Sequence, residues 1–165
     1  MKNRRTPIIG IMGPANTKDT TLLLYAEKLG KQIAENGWIL LTGGRKAGVM
    51  DSASKGARNA GGVVLGILPG DDHSGMSEHV TIPVLTGMGH ARNVINILTS
   101  DVVIICGMGN GTASEAALAL KQGKSVIFTH VSEVDVQFFS RLIPLPLQVS
   151  NDIDEIITKI REHLH

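Results

Sequence analysis

Short runs rich in Ile, Val and Leu alternate with longer amphipathic stretches along the chain of 165 residues. Such runs, bounded by glycine or proline, predict buried strands, whereas apolar residues at helical spacing predict helices. The predicted strands are residues 7–12, 38–41, 63–68, 80–85, 101–106 and 125–129. The predicted helices are residues 19–35, 50–60, 91–99, 112–122 and 151–164. We therefore expect an α/β fold: a Rossmann-like, doubly wound parallel sheet in a three-layer αβα arrangement.

Length and composition predict one domain over residues 1–165 and restrict its partners. A net charge of +1 argues against bulk binding of nucleic acid, and 3% aromatic residues leave no base-stacking platform. The one Cys excludes an intrachain disulfide, and no histidines stand at metal-ligand spacing, so we expect no metal site. No apolar run approaches the roughly 18 residues of a membrane-spanning helix. We expect a cytoplasmic protein without nucleic-acid or membrane partners.

Glycine-rich segments follow the first, second, fourth and fifth predicted strands. Ligands of doubly wound sheets bind beyond the carboxyl ends of the strands, where glycine lets the backbone approach and helix N-termini attract anions. We therefore predict a cleft for an anionic, heteroaromatic ligand that bears a phosphate. The predicted binding residues in these segments are Gly13, Pro14, Asn16, Thr42, Gly43, Gly44, Arg45, Gly48, Val49, Met50, Gly87, Met88, Gly107, Met108, Gly109, Asn110, Gly111 and Thr112.

A purely structural role and two common kinds of nucleotide site are the alternatives for these segments. Each glycine loop could serve only as a tight turn between a strand and a helix. The first loop lacks the GxGxxG pattern, and no acidic ribose ligand follows the second strand, which disfavours ordinary NAD binding. A GxxxxGK[ST] phosphate loop is also absent from the sequence.

Two charged residues accompany the loops. Thr112 and Glu115 have the spacing of a capping box, with Thr112 as the N-cap. Glu115 is equally consistent with a carboxylate at the rim of the cleft that binds ring N–H groups or acts as an acid or base. Arg92 opens a predicted helix, where a cation opposes the helix dipole, and this placement favours a contact with an anion over a surface salt bridge.

Sulfur-containing residues and a histidine also lie near the loops. Cys106 ends a buried strand and is interpreted as a small buried hydrophobic residue. Core packing is the ordinary role of Met12, Met50, Met88 and Met108, and the alternative is an apolar floor for a planar ring. His90 has no evident partner and receives no role.

The motifs resemble a known family. Residues 42–50, 66–70 and 109–115 resemble the superfamily once labelled lysine decarboxylase-like, which includes the cytokinin-activating phosphoribohydrolases. Within it, residues 7–14, 37–45, 107–113 and 115–121 are most similar to molybdenum cofactor carrier proteins. The resemblance extends from about Pro7 to Lys124.

The resemblance implies a carrier that stores, protects and delivers the molybdenum cofactor (molybdopterin), with no catalytic residue. Molybdenum would arrive already held by the pterin dithiolene, so no protein metal ligand is implied. Arg92, Asn93 and Glu115 would join the glycine loops in cofactor binding. The resemblance also implies a homo-oligomer, a dimer or a tetramer, and molybdoenzymes as recipients.

Two alternatives to the carrier remain at this point. The first is a nucleoside 5′-monophosphate phosphoribohydrolase that uses Arg92 and Glu115. Asn93 stands where those hydrolases have Lys, and losing this cation weakens the case for cleavage of an N-glycosidic bond. The second is a non-catalytic nucleotide-binding domain of the same fold.

Overall fold

The computed structural model describes residues 5–165. The strands are β1 (Ile8–Met12), β2 (Ile39–Thr42), β3 (Val64–Leu68), β4 (Ile82–Leu85), β5 (Val102–Cys106), β6 (Ser125–Thr129) and β7 (Gln148–Val149). The α-helices are α1 (Thr20–Glu35), α2 (Gly48–Asn59), α3 (Asn93–Thr99), α4 (Asn110–Lys121), α5 (Glu133–Ser140) and α6 (Ile153–Leu164). A 3₁₀ turn (Gly89–Arg92) leads into α3.

All seven strands pair in parallel in the order β4-β3-β2-β1-β5-β6-β7. From β1 the chain adds β2, β3 and β4 on one side and then crosses to place β5 on the other side of β1. The loops after β1 and β5 therefore diverge, and this switch point is where doubly wound sheets bind ligands. The predicted fold class is confirmed.

Alternate side chains of the central strands enter two separate cores, as the pleat of a strand requires. On β5, Val102 and Ile104 pack with apolar residues of α1, α2 and α6. Val103 and Ile105 point to the opposite face and pack with apolar residues of α3, α4 and α5. The central strands are thus covered on both faces, which explains why a strand such as β5 is apolar throughout.

Two elements lie outside the predictions, namely α5 and β7. The strand predicted over 80–85 is shorter and starts at Ile82, and the helix predicted to start at Thr112 begins two residues earlier, at Asn110. Within residues 5–165, no helix combines the length and the apolar character needed to cross a membrane.

Candidate functional site

A cleft of about 470 Å³ opens at the switch point between β1 and β5. This volume lies in the range of roughly 300–1,000 Å³ that is typical of small-molecule sites. Four segments contribute its walls: the end of β1 with the following loop, the β2–α2 loop, the 3₁₀ turn before α3, and the β5–α4 connection. The lining residues are Ile11, Met12, Gly13, Pro14, Ala15, Asn16, Gly43, Arg45, Met50, His90, Arg92, Asn93, Met108, Gly109, Asn110, Gly111, Thr112 and Glu115.

The N-terminus of α4 forms one wall of the cleft. Its N-cap is Gly109, and no side chain makes a capping hydrogen bond there. The amides of Asn110, Gly111 and Thr112 occupy the first three helical positions, which have no partner within a helix. The helix dipole adds a partial positive charge at this end. These amides can therefore receive an anion from the cleft.

Two other helices that start at this edge of the sheet, α1 and α2, have first-turn amides that already donate hydrogen bonds to the protein itself. The Asp19 carboxylate accepts hydrogen bonds from the amides of Thr21 and Leu22 in the first turn of α1. In the first turn of α2, the Val49 amide donates to the Pro14 carbonyl at 3.2 Å. In the described chain, the first three amides of α4 have no such hydrogen bond, so this helix N-terminus is open to a ligand.

Arg92 brings a buried positive charge to the cleft. Arg92 is only 7% exposed, and its guanidinium lies against the backbone of Gly43. A Cβ atom added to Gly43 would lie 2.7 Å from both Nη1 and Nη2 of Arg92. One side-chain hydrogen bond is present, from Nη1 to Asn93 Oδ1 at 3.3 Å, whereas the buried Nε has no partner. Burial lowers the pKa of Arg92, although the nearby Glu115 opposes this effect. Arg45 adds a second, exposed guanidinium.

Glu115 is not part of a capping box, so that prediction is wrong. Because α4 begins at Asn110, Glu115 lies in the second helical turn and faces α3, where Asn96 Nδ2 donates to its Oε1 at 2.9 Å. Burial raises the pKa of the Glu115 carboxyl, while the hydrogen bond from Asn96 and the charge of Arg92 act to lower it. No salt bridge in the described chain joins Glu115 to Arg92. Thr112 is 2% exposed, and its Oγ1 has no hydrogen-bond partner.

Apolar side chains form the floor of the cleft. Met12, Met50 and Met108 line it together with Ile11 and Pro14. Thioethers make favourable contacts with aromatic rings, so this floor suits a planar heterocycle. Met88, the fourth methionine considered from the sequence, is 48% exposed and does not line the cleft.

Seven predicted site residues do not line the cleft: Thr42, Gly44, Gly48, Val49, Gly87, Met88 and Gly107. Gly44 is among the predicted binding residues, but its amide already donates to Thr42 Oγ1 at 3.1 Å and is therefore not free to bind an anion. Gly48 has a positive φ of 49°, and a Cβ atom there would collide with the Pro14 carbonyl oxygen. Gly87 and Met88 follow β4, which is the edge strand and lies three strands from β1.

Four lining residues were not among the predicted binding residues: Ile11, Met12, Ala15 and His90. Ile11 and Met12 end β1 at the switch point, so the topology alone could have indicated them. His90 precedes Arg92 by two residues on the 3₁₀ turn that returns from β4 toward the cleft.

A model of the SLOG cluster4 family matches residues 6–156. The chain belongs to this family. It is 44% identical to the molybdenum cofactor binding protein of the phototrophic bacterium Rippkaea orientalis, with a TM-score of 0.94 over 98% of this chain and 99% of that one. It is 46% identical to the molybdenum cofactor carrier protein of Chlamydomonas reinhardtii, with a TM-score of 0.91 over 97% and 99% of the two chains.

A third relative is an uncharacterized protein of Archaeoglobus fulgidus, 43% identical over 118 residues, which are 72% of this chain and 76% of that protein. The similarities to the two cofactor-binding proteins confirm the resemblance that the sequence motifs indicate. They extend over nearly the whole chain, beyond the region of about 7–124 that carries the motifs.

Proposed function

We propose that this protein binds the molybdenum cofactor and carries it intact. The observation that supports this most strongly is the near-complete similarity to two proteins named for binding and carrying this cofactor. The structure adds a cleft at the switch point that combines an open helix N-terminus, two guanidinium groups and a methionine floor. A binding function is favoured over hydrolysis because both relatives are named as binding or carrier proteins.

In this proposal the β5–α4 connection is a phosphate-binding loop. The amides of Gly109, Gly111 and Thr112 receive the terminal phosphate, with Arg92 and Arg45 supplying positive charge. The pterin lies over the methionine floor. Within residues 5–165 no group of His, Cys, Asp and Glu side chains could hold a metal ion. Molybdenum is therefore proposed to stay with its dithiolene as part of the cargo.

Cofactor transfer tests this function. The purified protein is loaded anaerobically with molybdenum cofactor, separated from free cofactor and mixed with a cofactor-free molybdoenzyme. The expected result is a bound pterin, detected by fluorescence after oxidation, and recovery of the enzyme's activity. Absence of bound pterin at micromolar protein and cofactor would contradict the proposal.

A phosphoribohydrolase is the second candidate because Arg92 and Glu115 line the same cleft. Incubation with AMP and with an N6-prenylated AMP, followed by chromatography for free base, separates the two functions. Release of base that disappears in Glu115→Gln would favour the hydrolase. If nucleotides bind without release of base and the cofactor does not bind, the non-catalytic nucleotide-binding domain is favoured.

We also propose a cytoplasmic homo-oligomer, a dimer or a tetramer, that passes its cargo to molybdoenzymes. Val94 and Leu98 on α3 are 40% and 54% exposed, and they provide apolar area for a subunit contact beside the Ala-rich helix α4. Light scattering coupled to size-exclusion chromatography measures the mass directly against the 17.5 kDa of one chain.

A further inference from the structure

Glu115 is an unexpected residue to find beside an anion site. It lies three residues after Thr112 on α4, which corresponds to a rise of about 4.5 Å along the helix. An anion held by the first amides of α4 is therefore close to a buried carboxylate, and two negative charges in this environment repel each other strongly. Binding must either overcome this repulsion or remove one of the charges.

The geometry around Glu115 allows its charge to be removed. Oε1 is held by Asn96 Nδ2, whereas Oε2 accepts no hydrogen bond from the described part of the chain, and the residue lines the cleft. A proton on Oε2 would turn this oxygen into a donor toward the ligand. Two further buried groups at the cleft lack partners, Thr112 Oγ1 and Arg92 Nε, in residues that are 2% and 7% exposed.

We propose that the cleft takes up its anionic cargo together with one proton, which resides on Glu115 Oε2 and is hydrogen-bonded to an oxygen of the cargo. The proton comes from solvent on binding and returns to solvent on release. This inference rests on the proposed carrier function and deepens it, because it makes release of the cargo sensitive to pH. Asn96 is the positioning residue, since it holds Oε1 and leaves Oε2 without a hydrogen-bond partner in the described part of the chain.

The direction of the effect follows from linkage. A bound anion raises the pKa of a neighbouring carboxyl group, so binding takes up a proton and affinity falls as pH rises. Burial already raises the pKa of Glu115 in the empty protein. The other charged or titratable side chains lining the cleft are Arg92, Arg45 and His90, and Asn96 faces Glu115 from α3 as a neutral donor.

The test measures the Kd of anaerobically prepared molybdenum cofactor between pH 6 and pH 9, using pterin fluorescence of the bound fraction after oxidation. For the wild type, affinity should fall by up to about tenfold for each pH unit between the pKa values of Glu115 in the free and bound protein. Glu115→Gln should bind throughout and lack this dependence, because its amide is a permanent neutral donor. The second ionisation of the ligand phosphate affects binding to all variants equally. The difference in pH dependence between wild type and Glu115→Gln therefore reports the contribution of Glu115.

Three further variants make the assignment specific. Asn96→Leu removes the hydrogen bond that lowers the pKa of Glu115, so the transition should move to higher pH, whereas a purely structural defect would weaken binding equally at every pH. His90→Gln should retain the pH dependence, and the exposed Glu162→Gln on α6 should reproduce the wild-type profile. Circular dichroism melts verify that each variant folds.

Calorimetry of the wild type in two buffers of different ionisation enthalpy counts the protons directly. Uptake approaching one proton supports the proposal, and no uptake at any pH overturns it. The same pH profile in wild type and Glu115→Gln, or loss of the dependence in His90→Gln alone, also overturns it while leaving the carrier function intact. Failure of the wild type to bind cofactor at any pH overturns the carrier function and this inference together.

Discussion

Replacing Arg92 with Met should stabilise the empty protein and weaken its binding of cofactor. The buried Nε has no partner, and the side chain makes one hydrogen bond of 3.3 Å, to Asn93. A buried donor without a partner costs about 1–3 kcal/mol, and a hydrogen bond of this kind contributes about 0.5–1.5 kcal/mol. Met reaches about as far as the Nε atom of Arg and requires no partner, so the net gain is about 1 kcal/mol. For a chain of this size, that gain raises the Tm by roughly 2–4 °C.

Binding should change in the opposite direction. A hydrogen bond from a guanidinium to an anion is worth about 1.5–3 kcal/mol, which corresponds to a roughly 10- to 150-fold increase in the Kd of the cofactor. The assay combines thermal unfolding of the empty protein with cofactor binding at one pH. Arg45→Met is the matched control, because Arg45 lines the same cleft but is exposed. It should weaken binding and leave the Tm within about 1 °C of wild type, as is usual for surface substitutions.

A decrease in Tm of several degrees for Arg92→Met would refute this reasoning. It would mean that Arg92 stabilises the fold through the Gly43 loop or through Glu115, and that its charge is not held for a ligand. An unchanged Kd in both variants would show that the guanidinium groups do not contact the cargo.

Three further outcomes are expected. Gly111→Val should unfold cooperatively at a Tm within about 2 °C of wild type, since no atom lies within 4 Å of its Cβ position, and should lose cofactor binding; normal binding would place the anion site elsewhere. Burial raises the pKa of Asp101, but the hydrogen bonds from Arg5 and from the Ile8 amide have the larger combined effect. The pKa of Asp101 in the folded protein is therefore below its ordinary value. Asp101→Asn should therefore lower the free energy of unfolding by about 0.5–1 kcal/mol at pH 7, measured by denaturant titration. The difference between wild type and variant should disappear as the pH falls from about 4 through the lower pKa of Asp101 in the folded state. An equal difference at about pH 3 would contradict this origin. Burial raises the pKa of the Cys106 thiol to about 12, so a disulfide reagent at pH 8 should label it only after unfolding, and rapid labelling of the folded protein would disprove its burial.

The central strands could be predicted from the sequence because their environment leaves a direct signal. Every residue of β5 is buried, and its run of five apolar residues is what a strand covered on both faces requires. The alternation of strands and helices along the chain, with right-handed crossovers between parallel strands, then favours a doubly wound sheet without giving its strand order.

The signal fails where few residues are buried. Within α5 only Phe139 is buried, while Val134 and Phe138 are 72% and 58% exposed. Its valines also alternate with polar residues in a pattern that favours a strand over a helix. Strand β7 has two residues, both exposed, and exists through its pairing with Ile127 and Phe128 of β6. Such an edge depends on tertiary pairing and has no local pattern of its own.

The sequence indicated most of the loops that form the cleft but not their individual contacts. The glycine segments after β1, β2 and β5 meet because these three strands are neighbours, whereas the segment after β4 does not, since β4 is the edge strand. The sequence offers no means of choosing among four similar segments without the strand order. The capping-box spacing of Thr112 and Glu115 predicted a start of α4 at Thr112, two residues too late, because the sequence alone does not show the tertiary contacts of Glu115. The side-chain pattern fits both starts, and the contact of Glu115 with Asn96, 19 residues earlier, is visible only in the fold.

The polar groups without partners explain why these details matter for function. Four buried side-chain atoms in residues 5–165 lack a hydrogen bond. Three of them, Arg92 Nε, Asn96 Oδ1 and Thr112 Oγ1, belong to the 3₁₀ turn, α3 and α4, and the fourth is Asp51 Oδ1 on α2. Each such group costs free energy in the empty protein, and a cost concentrated beside one cleft is what a binding surface shaped for a polar ligand produces. Helix and strand propensities cannot indicate such groups, because unpartnered buried groups destabilise the fold, whereas propensities describe what stabilises it. The places where sequence reasoning fails on α3 and α4 are therefore the places where the cargo is expected to make its contacts.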